Sequence, residues 1–156
     1  MQKITPCLWF DNRIEEAVNF YISVFKDTKI ISKMHYGDAG PLPKGTVLSM
    51  TFELQGQEFM ALNGGTQFPF TPAVSFFVKC ETQTEVDYYW DRLADGGKEQ
   101  PCGWVNDKFG LSWQIVPTVL GRLLNDKDPA KAQRVMQAML QMRKIDIATL
   151  NQAYAA

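Results

Sequence analysis

The residues most able to do chemistry in this sequence are three cysteines, one histidine and an isolated carboxylate. A cysteine becomes nucleophilic when a nearby base or positive potential favours its thiolate, and no such group accompanies Cys7, Cys80 or Cys102. The histidine, His35, stands near the end of a predicted strand, where we interpret it as an edge or loop residue. Glu53 is expected at the mouth of a cavity, but a general base at this position lacks a partner carboxylate. The sequence therefore assigns no catalytic residue.

Aromatic and amide side chains on the predicted strands favour ligand binding over catalysis. The stretch Cys102–Pro117 is predicted to form two short strands joined by a turn at residues 106–110. Strand alternation places Ser112 and Gln114 on one face and Trp113 under the helices, and it leaves the direction of Trp104 open. Aromatic rings bind planar ligands, and a few polar groups orient them. The candidate ligand-binding residues are Trp9, Thr51, Asn63, Ser75, Phe77, Trp104 and Gln114.

Charge and composition disfavour several classes of partner. The net charge is −1, with 16 basic and 17 acidic residues and no basic block, so we expect neither nucleic acid nor an anionic membrane as a partner. We expect no signal peptide, because the first residues include no apolar h-region, and no run of 18 apolar residues is present. An odd number of widely spaced cysteines is typical of reduced thiols, so we predict a cytoplasmic protein. The pairs Gly64–Gly65 and Gly96–Gly97 are interpreted as turns, because neither lies in a phosphate-binding Gly-rich motif.

The elements that must position these residues occur in the same order twice. Apolar alternation predicts strands and a 3.6-residue period predicts helices, which gives β-α-β-β-β in each half of the chain. The first set comprises a strand over 4–10, a helix over 13–25 with Asn12 as N-cap, and strands over 28–36, 46–54 and 57–63. The second comprises a strand over 73–78, a helix over 82–94, a strand over 98–102, and the hairpin.

The remaining residues are predicted to form helices. One covers 118–124, and the next covers 130–142 after Asp128 as N-cap and Pro129 at the first helical position. Asp146 is predicted to cap a last helix. The methionine-rich faces of these helices are expected to pack on the sheet or on a second subunit.

Several stretches together resemble one known family. They are Leu8-Trp-Phe-Asp, Glu16-Ala-Val-Asn-Phe-Tyr21, Cys102-Gly-Trp, and Asp107-Lys-Phe-Gly-Leu-Ser-Trp-Gln-Ile-Val-Pro117. They resemble the PhnB-like group, labelled 3-demethylubiquinone-9 3-methyltransferase-like, of the vicinal-oxygen-chelate superfamily. That superfamily also contains glyoxalase I, bleomycin-resistance proteins and extradiol dioxygenases.

The resemblance implies an α+β fold in which two β-α-β-β-β modules form open U-shaped sheets. A single domain of this type is expected over 1–156, with modules at 1–65 and 72–117 and a helical extension at 118–156. The concave faces hold the active site in superfamily enzymes. The resemblance also implies a homodimer.

Metal-using members of the superfamily place His, Gln or Glu on the first and last strand of each module. The matching positions here are Thr5 or Pro6, Asn63, Ala73 or Ser75, and Gln114. Only Gln114 is a usual type for such a position, and a divalent ion needs three or four converging ligands. We therefore predict no metal site and no cofactor.

The function most consistent with these residues is metal-independent binding of a small planar or apolar ligand in the cavity. The alternative is a metal-dependent lyase, isomerase or dioxygenase of the same superfamily. A third hypothesis is the methyl transfer that the family label suggests, although no part of the sequence resembles a doubly wound sheet with a Gly-rich loop for S-adenosylmethionine. The expected partners are a second copy of the chain and an unidentified small molecule.

Overall fold

The computed structural model describes residues 2–156 and confirms the predicted order of elements. The chain divides into two compact units, one extending to Pro69 and the other running from Phe70 to Ala156. Each unit contains one four-stranded sheet with both parallel and antiparallel pairs. One helix packs on each sheet, which makes the fold α+β.

The first unit contains β1 (Cys7–Phe10), α1 (Ile14–Val24), β2 (Thr28–His35), β3 (Val47–Leu54) and β4 (Gln57–Asn63). The strand order is β1-β4-β3-β2, with β1 parallel to β4 and the other pairs antiparallel. The β3–β4 hairpin turns at Gln55–Gly56, where both residues have positive φ, as a two-residue type I′ turn requires.

The core of the first unit lies between α1 and the sheet. The helix buries an apolar stripe at helical spacing, consisting of Ile14, Ala17, Val18, Tyr21 and Val24. From β3, alternate residues meet this stripe, and Met50, Phe52 and Leu54 are buried. The intervening β3 side chains lie on the opposite side of the sheet, because successive residues of a strand point to opposite faces.

The second unit repeats the pattern with β5 (Ser75–Cys80), α2 (Gln83–Ala94), β6 (Lys98–Glu99), β7 (Trp104–Asn106) and β8 (Ser112–Pro117). The strand order is β5-β8-β7-β6, with β5 parallel to β8. Three helices follow, α3 (Thr118–Leu124), α4 (Pro129–Leu140) and α5 (Ile147–Ala155). Residues 2–156 therefore contain five helices in total.

One carboxyl group holds the β7–β8 hairpin in place. Asp107 Oδ1 accepts hydrogen bonds from the backbone N–H groups of Phe109, at 2.8 Å, and Leu111, at 3.1 Å. Its Oδ2 accepts a third hydrogen bond, at 2.9 Å, from the indole Nε1–H of Trp113. Asp107 and Trp113 are only 3% exposed, so water does not replace these bonds. Gly110 closes the turn with φ +88°, a value that favours glycine.

Within the second unit, the C-terminal helices pack on the preceding elements through both apolar and polar contacts. Their core cluster consists of Val116, Leu120, Val135, Ile145 and Leu150. The side chain of Gln83 on α2 fixes the segment before α5, because its amide donates to Ile145 O at 3.0 Å and accepts from Ile147 N at 2.8 Å. The predicted caps are confirmed: Asp128 accepts from Ala130 N, and Asp146 accepts from Thr149 N.

Several predicted boundaries were wrong. The first strand begins at Cys7 rather than residue 4, and the strand predicted over 98–102 ends at Glu99. There the chain turns, since Cys102 has φ +61° and its N–H bonds to Met142 O. Asn12 has φ +54° and is not the N-cap of α1, a position that Arg13 takes without a side-chain hydrogen bond.

None of the described helices is both long enough and apolar enough to cross a bilayer.

Candidate functional site

The sheet face opposite α2 brings together four of the seven predicted ligand residues. In this sheet, Trp113 and Ile115 are buried on the α2 side, so alternate residues of each strand lie on the other side. The strand register arranges those residues in rows. The aromatic row consists of Phe77, Gln114 and Trp104. The polar row consists of Ser75, Ser112, Asn106 and Lys98.

The aromatic row has an amide between two aromatic side chains. Phe77 is 53% exposed, and Trp104 is partly buried. The direction of Trp104, which the sequence left open, is now fixed by its pairing with Gln114. Because Phe77 and Trp104 are two strands apart, their Cα atoms are roughly 10 Å from each other across the sheet. This distance suits a ligand with two fused rings.

A hydrogen bond orients the central amide. Gln114 Nε2 donates to Ser75 Oγ at 2.9 Å, so these two predicted ligand residues contact each other directly. Ser75 Oγ acts as acceptor in this bond, which leaves its own O–H available to donate. The Gln114 carbonyl oxygen is likewise available as an acceptor.

The polar row contains a buried hydroxyl without a hydrogen-bond partner. Ser112 is 0% exposed, and its Oγ forms no hydrogen bond with any of residues 2–156. An unsatisfied buried hydroxyl lowers stability, since it has lost its bonds to water without replacement. Sequence alternation had placed Ser112 beside Gln114 but did not single it out as a site residue.

Replacing Ser112 with alanine is expected to stabilise the ligand-free protein. The change removes the desolvation cost of the hydroxyl and contributes about 1 kcal/mol, which raises the melting temperature by about 3 °C. Ser75→Ala is the matched control and should lower it, because the Ser75 hydroxyl is hydrogen-bonded. Thermal denaturation of both variants measures the difference, and destabilisation by Ser112→Ala would show that the hydroxyl is satisfied.

Trp9 and Thr51 lie on the first sheet, on its face opposite α1. Trp9 alternates with the buried Leu8 and Phe10, which face the helix. Its indole Nε1–H donates to Gly65 O at 2.8 Å, and its ring meets Phe68 edge-on at 5.0 Å between ring centroids. Trp9 is therefore already packed on the 64–68 segment.

Thr51 shares the face of Trp9 at the centre of the first sheet. It pairs with Met60 on one side and Ser32 on the other, and its side chain is partly buried. Nearby, Glu53 forms an ion pair with Lys29 at 3.6 Å. Thr51 and Glu53 therefore both lie on the face of the first sheet opposite α1.

Asn63 does not lie on the face where the sequence placed it. In β4 it pairs with Phe10 and is buried on the α1 side of the sheet, with 3% exposure. Its amide is occupied by the backbone, since Oδ1 accepts from Ile14 N at 3.4 Å and Nδ2 donates to Val47 O at 2.9 Å. Asn63 therefore connects the start of α1 to β3, and its amide is not directed towards Thr51.

Asn63 borders a cleft that the sequence did not reveal. The cleft has a volume of about 340 Å³ at the N-terminal end of α1, and its walls include His35 and the first turn of the helix. Its charged groups are paired within the unit, Glu15 with Lys33 at 2.8 Å and Arg13 with Glu16 at 2.8 Å. The walls come from segments far apart in the chain, so no local pattern could have identified the cleft.

The side chains present do not fit a bound divalent metal. No group of three or more His, Cys, Asp or Glu side chains among residues 2–156 is arranged to hold one. At the matching positions, Ser75 and Gln114 are neutral and bonded to each other, and Asn63 lies on the other face of its sheet. Such a set lacks the charged or imidazole donors that bind Zn²⁺ and related ions.

The buried cysteine is not a nucleophile either. Burial of Cys80, with a smaller contribution from the charges of Glu85 and Glu81, raises the pKa of its thiol to about 12. At neutral pH the thiol of Cys80 is therefore protonated. Burial also raises the pKa of Cys7.

Two β-α-β-β-β modules with these sheet orders form the fold that the resemblance to the vicinal-oxygen-chelate superfamily implied. The fold is shared with a fosfomycin resistance protein, FosX, from Listeria monocytogenes, crystallised with Mn(II) and sulfate. That structure has a TM-score of 0.54 and 16% identity over 79% of this chain and 97% of that one. Protein PA1353 from Pseudomonas aeruginosa is similar in fold, with a TM-score of 0.62 and 18% identity over 75% of this chain and 98% of that one.

Within that superfamily, the family model for 3-demethylubiquinone-9 3-methyltransferase matches residues 2–116, and the chain belongs to this PhnB-like family. A putative 3-demethylubiquinone-9 3-methyltransferase, PhnB protein, from Bacillus cereus is 42% identical. The alignment covers 75% of this chain and 100% of that one, with a TM-score of 0.69. No curated protein matches the chain.

Proposed function

We propose that this protein binds a small planar or apolar ligand on the face opposite α2 and does so without a metal ion. The observation that carries the proposal is the aromatic row. In this row the side chain of Phe77 is more than half exposed, and the Gln114 amide lies between Phe77 and Trp104. Ligand sites typically combine aromatic walls with a few polar groups that fix orientation.

A neutral bicyclic compound, 2-naphthamide, tests the proposal. We expect it to bind wild-type protein in isothermal titration calorimetry. Phe77→Ser should weaken binding about tenfold, because it removes one aromatic wall of the site. Tyr88→Ser is the matched control, since Tyr88 is an exposed aromatic on α2 and should leave affinity unchanged. Failure of 2-naphthamide to bind at millimolar concentration, or equal effects of the two variants, would overturn the proposal.

Metal independence is tested separately by elemental analysis of protein purified without chelators or a metal-binding tag. We expect no stoichiometric ion, and about one ion per chain would favour the metal-dependent lyase, isomerase or dioxygenase alternative. The methyl transfer named by the family requires a methyl donor. S-adenosylmethionine should therefore raise the melting temperature if that third hypothesis holds.

A further inference from the structure

The charges on the face opposite α2 are all of one sign. The strands place Lys79 and Lys98 on this face and no Asp or Glu there, while the nearby Glu99 and Asp107 lie on the α2 side. The side-chain ammonium group of neither lysine forms an ion pair or hydrogen bond with any of residues 2–156. Two unpaired cations on one face create a positive potential that attracts an anionic ligand.

Hydrogen-bond donors are concentrated in the polar row. Ser75 has a free O–H, because its oxygen accepts from Gln114. The Ser112 hydroxyl is fully buried and has no partner, and Lys98 and Asn106 complete the row. A buried hydroxyl without a partner lowers the stability of the ligand-free protein. An acceptor atom supplied by a ligand would satisfy that hydroxyl.

From these observations we propose that the ligand is an aromatic acid, with its ring on the aromatic row and its acid group on the polar row. This inference rests on the proposed function and specifies its ligand class. The carboxylate or comparable acid group accepts hydrogen bonds from Ser75 and Ser112, and Lys98 supplies the opposite charge. Asn106 and Gln114, the longer side chains beside Ser112, rotate to admit one oxygen atom to its hydroxyl.

Lys98 rather than Lys79 is assigned to the acid group because of its row. Lys98 pairs with Asn106 in the polar row, beside the unsatisfied Ser112. Lys79 pairs with Val116, where the C-terminal helices pack. The two lysines are therefore on the same face but on opposite sides of the aromatic row, which makes Lys79 a matched control for charge alone.

The test compares 2-naphthoate with 2-naphthamide, two ligands of nearly the same shape that differ in charge. In calorimetric titrations of wild-type protein we expect the acid to bind about tenfold more tightly, since charge-assisted hydrogen bonds exceed neutral ones. Lys98→Gln should reduce this preference to less than about twofold, and Lys79→Gln should largely preserve it. Ser112→Ala should weaken binding of the acid about fivefold while the variant remains folded.

Each outcome separates the inference from the function on which it rests. Equal binding of acid and amide to wild type would overturn the inference and leave the proposed function standing. Equal loss of the acid preference in Lys98→Gln and Lys79→Gln would show a general charge effect and would also overturn the assignment to the polar row. If neither compound binds at millimolar concentration, the proposed function fails, and the inference fails with it.

Discussion

Asp107→Asn is expected to lower the free energy of unfolding by about 3 kcal/mol, a large effect for a single substitution. The amide oxygen can still accept from Phe109 N and Leu111 N. The amide nitrogen then faces the indole N–H of Trp113, so two donors oppose each other in a buried site. Because the entropy of unfolding scales with chain length, this loss should lower the melting temperature of a 156-residue chain by about 9 °C.

A double-mutant cycle identifies the source of this loss. Trp113→Phe removes the indole donor, so the asparagine amide no longer meets an opposing N–H. The double variant should therefore be more stable than the sum of the two single changes predicts, by at least about 1 kcal/mol. Denaturant titration of the four proteins measures the coupling. Strict additivity would mean that the bond between Asp107 and Trp113 does not hold the hairpin.

The contacts of Asp107 show which features local sequence patterns can predict and which they cannot. The turn over 106–110 was predicted from residue types, and the structure confirms it, with Gly110 at positive φ. Asp107 lies in this predicted turn and stabilises it by accepting hydrogen bonds from two backbone N–H groups. The third bond, to Trp113, could not be predicted because it depends on which side of the sheet α2 covers.

Alternation predicted the strand faces well and the strand ends poorly. Ser75, Phe77 and Gln114 share one face because each strand has a strict period of two once its register is known. Asn63 was predicted to bind ligand from its position at the end of a strand. That prediction did not use the alternation of side chains, which decides the face of the sheet on which Asn63 lies. Its pairing with Phe10 puts it on the α1 side.

The features that suggest a ligand class could not be predicted from the sequence. Lys98 comes from a two-residue strand, and Ser112 comes from β8, which three elements separate from β5 along the chain. Lys98 and Ser112 lie in one row only because the strands are arranged in the order β5-β8-β7-β6. The missing partner of Ser112 is a property of the packed molecule, which no residue type or spacing records.

Gly64→Ala is expected to displace the indole ring of Trp9 and to destabilise the first unit. A Cβ atom at position 64 would lie 2.1 Å from Trp9 Cζ2 and 2.2 Å from Cε2, distances that no real contact tolerates. Moving the ring breaks its 2.8 Å hydrogen bond to Gly65 O and its edge contact with Phe68. Overpacking and the lost bond together cost about 2–3 kcal/mol. The indole N–H resonance of Trp9 should shift in a ¹H–¹⁵N spectrum.

The control for this change is Gly37→Ala, because a Cβ at position 37 meets no atom within 4 Å. It should leave both the melting temperature and the Trp9 resonance unchanged. Trp9→Ala in the Gly64→Ala background supplies the second check, since with the ring absent the added methyl group has no clash to relieve. The cost of Gly64→Ala should then fall below about 1 kcal/mol, as expected for coupled neighbours. An equal cost in both backgrounds would place the strain in the backbone of the 64–68 segment instead of in the Trp9 ring.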